Sequence, residues 1–79
     1  STLNVGDQIS AVGGLNIRSS PGGALTGSVT QAGDTGRITA GPTTSGSFIW
    51  WQIYWDRAGL PTGWSAELDP ETGTRFLNK

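Results

Sequence analysis

The sequence predicts an all-β protein, a small antiparallel barrel of five to seven short strands. Three observations carry this. Glycine supplies 13 of the 79 residues, and turn-forming clusters of Gly, Pro, Ser and Asp recur at short intervals. The run FIWWQIYWD at residues 48–56 places seven large apolar or aromatic residues within nine positions. No segment sustains the 3.6-residue periodicity of an amphipathic helix.

The elements follow in chain order. Residues 7–12 (DQISAV) alternate around Ile9 and break at the Gly13-Gly14 pair. LNIR at residues 15–18 points Leu15 and Ile17 inward, and Ser19-Ser20-Pro21-Gly22-Gly23 reads as a loop. A strand over residues 25–30 carries Leu25 and Val29, with a turn at Gly33-Asp34. TGRITA (residues 35–40) centres a strand on Ile38, and GPTTSGS (residues 41–47) is expected to be loop. The aromatic strand comes next. TGWSA at residues 62–66 is its hairpin partner, ELDPETG is a polar loop with at most one 3₁₀ turn near residues 66–68, and TRFL closes the structure. The expected buried set is Ile9, Leu15, Ile17, Val29, Ile38, Trp51, Ile53 and Leu77.

Successive side chains of a strand point to opposite faces. In the aromatic strand one face carries Ile49, Trp51, Ile53 and Trp55, and the other carries Phe48, Trp50, Gln52 and Tyr54. A small sheet protein fully buries one such face, so the second is where function is sought.

Composition excludes several classes. A chain of 79 residues is one domain, residues 1–79. Without cysteine there is no disulfide, and without histidine or cysteine no zinc site and no His-dependent or Cys nucleophile. No apolar run reaches membrane-spanning length. With no signal peptide and no initiator Met, the chain reads as a module excised from a larger protein. Arg18, Arg37, Arg57, Arg75 and Lys79 are scattered, so the basic patch of a nucleic-acid binder is missing. Asp56 and Glu67 form a conceivable carboxylate pair, but a domain this small rarely builds a catalytic cleft. The expectation is no enzyme activity, no cofactor and no metal. Glu67, Asp69 and Glu71 superficially resemble a calcium loop, but Pro70 interrupts them and no distal glutamate follows, so they read as a solvated acidic loop.

Several motifs, in order, resemble the bacterial Src-homology-3-like (SH3b) domain family. They are Gly6-Asp7, LNIRSSPG at residues 15–22, Gly41-Pro42, Trp50-Trp51 and GWSAE at residues 63–67. Ser20 stands where that family usually has glycine, Ser65 where it usually has valine, and the tail is longer. The resemblance spans about residues 6–77. It implies an SH3-like barrel acting as a non-catalytic binding module in the extracellular space or cell envelope of bacteria or phage. The implied partner is a cell-wall peptide or glycan, or a neighbouring protein domain. A structural spacer that packs against adjoining domains is the alternative.

The candidate ligand-binding residues are Trp50, Trp64, Tyr54, Phe48 and Arg18. Trp50 and Trp64 are expected on paired strands, framing a shallow groove beside the loop at residues 18–23. Phe48, Trp50 and Tyr54 either line that groove or pack under the loop at 19–25 and the tail. Arg18 has five donors suited to bridging loop carbonyls, so holding the loop is its other expected role.

Overall fold

The computed structural model describes residues 2–79. Seven strands form: β1 (Gln8–Ala11), β2 (Asn16–Arg18), β3 (Leu25–Val29), β4 (Thr35–Ser45), β5 (Phe48–Trp55), β6 (Gly63–Ala66) and β7 (Leu77–Asn78). All pairings are antiparallel, in one sheet of order β3-β2-β6-β5-β4-β1-β7. No helix occurs among the described residues.

The core explains the shape. Ile9 and Ala11 of β1, Ile17 of β2, Ile38 of β4, Trp51, Ile53 and Trp55 of β5, and Leu77 of β7 share one apolar cluster. Strands far apart in the sheet order meet in that cluster only if the sheet curls. The sheet is nevertheless not closed: β3 and β7 remain separate edges, so the expected barrel is a curled open sheet. β7 is two residues long and is occupied by its pairing to β1 (Ser10↔Asn78, Ala11↔Leu77).

The segment expected as a loop at residues 41–47 is mostly strand. β4 continues through Gly41-Pro42 to Ser45, and the ladder to β5 resumes at Thr43↔Trp50, Thr44↔Ile49 and Ser45↔Phe48. Its register shifts between Ile38 and Ala40 and again between Ala40 and Thr43. Pro42 sits at the second irregularity, preceded by a cis peptide bond, where a missing N–H is tolerated. The turn itself is only Gly46-Ser47. Gly46 has φ +62° and Ser47 is not in the positive region, the pattern of a type II′ hairpin turn.

Of the expected buried set, Val29 is the one misplaced residue, at 49% exposure. Asn16 pairs with Val29 and Arg18 with Leu25, so four steps along β3 match two along β2. The irregularity surrounds Gly27, at φ +90°, and shifts the strand's alternation. Thr30 takes the inward place instead. Its hydroxyl donates to the Gly13 carbonyl at 2.8 Å and accepts the Leu15 N–H at 3.0 Å.

Glu67 also differs from the expectation. It belongs to no solvated acidic loop, being only 2% exposed, and its Oε1 accepts the indole N–H of Trp51 at 2.7 Å. Its backbone N–H donates to Ile49 (2.9 Å), and its carbonyl accepts the N–H groups of Phe76 (2.9 Å) and Leu77 (3.2 Å). Asp69 turns outward into a local loop, accepting the Glu71 N–H at 2.9 Å. Residues 66–68 form strand end and bridge, without a 3₁₀ turn.

Outside the core, Asp34 before β4 meets Arg57 after β5. Arg57 Nε donates to Asp34 Oδ1 and Nη2 to Oδ2, both at 3.0 Å. This fork, followed by the Gln31 N–H, holds the Asp34 carboxyl below its ordinary range, and the same fork raises Arg57.

Two predictions follow from these contacts. Asp34 titrates below an ordinary aspartate, so its contribution to stability is present above the unfolded-state pKa and is lost as pH falls through the lower folded value. Carbon-detected NMR titration of the Asp34 carboxyl should show this midpoint move back up in Arg57→Ala. Glu67→Ala should lower stability by about 2–3 kcal/mol in urea denaturation, because it orphans a buried indole donor. Glu71→Ala, in the exposed turn that follows, should stay within about 0.5 kcal/mol.

Candidate binding groove

β5 supplies two faces, as its alternation requires. Trp51, Ile53 and Trp55 enter the core, while Trp50 is buried outside that cluster on the opposite side. Beside Trp50 lies a groove of about 520 Å³. Leu15, Asn16 and Arg18 contribute from β2 and the residue before it, and Gly22 from the loop after it; Ser45, Gly46, Phe48 and Trp50 contribute from the β4–β5 hairpin tip; Ala66 and Phe76 also line it.

The aromatic wall is braced from several directions. Phe48 and Trp50 are tilted at 49° with centroids 5.9 Å apart, within the range of favourable aromatic pairs. The Trp50 indole N–H donates to the Ser45 carbonyl at 3.3 Å, tying the side chain to its own hairpin. The Arg18 guanidinium carbon stands 5.7 Å from the Trp50 ring centroid, a cation–π arrangement. Arg18 Nη1 donates to the Gly23 carbonyl at 2.7 Å, so Arg18 does clamp the loop after β2. That loop also touches the hairpin: a Cβ on Gly22, at φ +67°, would fall 2.8 Å from Ser45 Oγ and 3.9 Å from Trp50 Cζ2. Only glycine lets the two come this close in that conformation.

Below the groove, β6 is fixed to β2 through a polar contact. Ser65 is fully buried, and its hydroxyl donates to the Asn16 carbonyl at 2.9 Å. A hydroxyl replaces apolar packing there because a buried carbonyl gains a donor.

Three of the five residues singled out from sequence meet in the groove: Arg18, Phe48 and Trp50. Trp64 and Tyr54 do not line it. The register pairs Trp50 with Ala66, which leaves Trp64 two residues along β6, opposite Gln52 and Arg18. That is a displacement of about 7 Å. Tyr54 lies about 13 Å along β5 from Trp50, where it faces Arg37 and is 59% exposed. Trp50 itself is only 7% exposed, so it is a wall packed under Arg18 and not the open platform expected of a wet aromatic face. Phe76 was not singled out as a groove residue. It precedes β7 and packs against the edge of the core cluster while also lining the groove.

Charge in the groove is one-sided. Arg18 is the only ionisable residue among those lining it. The carboxylate pair considered from sequence does not assemble. Glu67 hydrogen-bonds to Ile49 at the start of β5, whereas Asp56 follows its end and accepts the Thr35 hydroxyl at 2.7 Å. The Glu67 carboxyl is held at the Trp51 indole, five positions and roughly 16 Å of extended strand before Asp56, beyond the 5–9.5 Å spacing used in glycoside hydrolysis. Among the described residues, no group of three or more acidic side chains converges as a metal site would need.

Comparison of the chain with protein-family models, with curated proteins and with solved structures finds no match.

The two adjacent tryptophans should separate in mutagenesis. Trp50→Ala removes a wall outside the main cluster and should cost about 3 kcal/mol. Trp51→Ala empties the core and removes the indole donor to the Glu67 carboxyl, and should cost about 5 kcal/mol. Urea unfolding followed by circular dichroism measures both.

Proposed function

We propose that the chain is a non-catalytic binding module that docks onto a cell-wall peptide or glycan, or onto a protein partner, through the groove between β2 and the β4–β5 hairpin. The observation that carries this is the groove itself, with an apolar and aromatic lining and one preorganised cation. Binding sites are typically concave, mostly apolar and furnished with few polar groups, in volumes of roughly 300–1,000 Å³. The groove's 520 Å³ falls inside that range. The order of motifs LNIRSSPG, WW and GWSAE supports an SH3-like assignment and, with it, a bacterial or phage protein acting outside the cell or in the envelope.

The alternative, a spacer packed against neighbouring domains, draws on a different surface. Leu25 and Val29 of edge strand β3 are 57% and 49% exposed, an apolar edge that an adjoining domain would cover.

Sedimentation with purified bacterial sacculi tests the first reading. Phe48→Ala removes part of the groove wall and should reduce the bound fraction at least fivefold. Tyr54→Ala, exposed and remote from the groove, should bind as the parent chain does. If Leu25→Ser with Val29→Ser abolishes attachment while Phe48→Ala leaves it unchanged, the groove is not the docking surface.

A further inference from the structure

Arg18 has a feature that clamping a loop does not require. It commits one of its donors, Nη1, to the Gly23 carbonyl, and the described salt bridges join Arg57 to Asp34 and Lys79 to Asp7, not Arg18 to an acid. No carboxylate lines the groove it stands in. A protein of net charge −1 therefore keeps over Trp50, in a largely apolar recess, a guanidinium with no carboxylate partner among the described residues. Guanidinium groups in such settings favour carboxylate oxygens, which they engage through two parallel hydrogen bonds.

The shape adds direction. A Cβ on Gly22 would meet Ser45 Oγ at 2.8 Å, so the loop and the hairpin tip come close together beside the Gly23 carbonyl that holds Arg18. The loop and the hairpin tip thus approach each other beside the part of the groove where its charge sits. Leu15, Phe48, Ala66 and Phe76 are the apolar residues of the remaining lining, and Asn16 is a polar one. A chain running on past Arg18 would have to pass the close approach of Gly22 to Ser45. A chain that stops there would not.

Resting on the binding-module reading, we infer that the groove receives the C-terminus of a peptide. The free α-carboxylate meets the Arg18 guanidinium, and an apolar last side chain lies along Phe48 and Phe76. A volume near 520 Å³ suits a few residues and not a folded surface. A sugar fits less well, because the Trp50 ring is covered on one side by Arg18 and exposes little face for stacking.

The test uses the ¹⁵N-labelled chain and four probes: N-acetyl-Gly-Ala-Leu with a free carboxylate, the same peptide as its C-terminal amide, N-acetyl-Gly-Glu-Leu amide, and a trimer of N-acetylglucosamine. The readout is the shift of the Trp50 indole N–H and of the Gly22 and Gly46 amides. The free acid should bind at least tenfold more tightly than its amide. In Arg18→Gln that tenfold preference should vanish; the comparison of acid with amide on the unaltered chain holds even if this variant loosens the loop. Equal affinity for acid and amide overturns carboxylate recognition while leaving the groove a binding site. Equal affinity for the glutamate-bearing amide and the free acid overturns the chain-end assignment. Shifts from the sugar trimer alone, or from none of the probes, overturn the peptide proposal, and sacculus sedimentation then judges the broader reading by itself.

Discussion

The Glu67 carboxyl accepts the Trp51 indole N–H inside the core, while the backbone of the same residue binds Ile49, Phe76 and Leu77. One residue therefore joins the largest core side chain, the start of β5 and the returning tail. A buried carboxyl group is costly unless hydrogen-bonded, and a buried indole N–H likewise needs a partner. Each satisfies the other. The tail depends on this meeting, because β7 contributes only two residues to the sheet and Leu77 must reach the centre of the cluster. Phe76 is carried to the groove by the same pair of backbone bonds, so the core and the candidate site share an anchor.

How far the sequence discloses this differs by element. The alternation in FIWWQIYWD places Trp51, Ile53 and Trp55 on one side and Trp50 on the other, since a period of two leaves no other arrangement for a strand. Strand positions elsewhere followed from Gly and Asp punctuation. The stretch GPTTSGS misled because its composition is that of a turn, yet only Gly46-Ser47 turns; the long β5 partner holds the remainder in a ladder with two irregularities. Val29 was lost to the irregularity at Gly27, which no local pattern announces. The separation of Trp64 from Trp50 is a matter of register between β5 and β6, and neither strand's own sequence sets it. Glu67 looked like part of an acidic loop because a buried polar residue is recognised only by its partner, sixteen residues away.

Arg18 shows how a structural and a recognition role can coincide. Its bond to Gly23 and its position over Trp50 restrict a side chain that otherwise samples many rotamers. That ordering cost is met during folding, so a ligand engaging the guanidinium does not meet it again. The Gly22 contact with the hairpin tip has the same effect on the loop.

The bulge at Gly27 also bears on what this protein does in a crowded solution. An open sheet offers its outer strands as templates for identical molecules, and β3 has the neutral, partly apolar sequence LTGSV that invites such stacking. A left-handed glycine in its middle breaks the row of evenly spaced amide and carbonyl groups that an incoming strand would read. At the other edge, two residues are too few to seed growth. The irregularity that costs Val29 its place in the core thus guards against fibril formation in a chain that never closes its sheet.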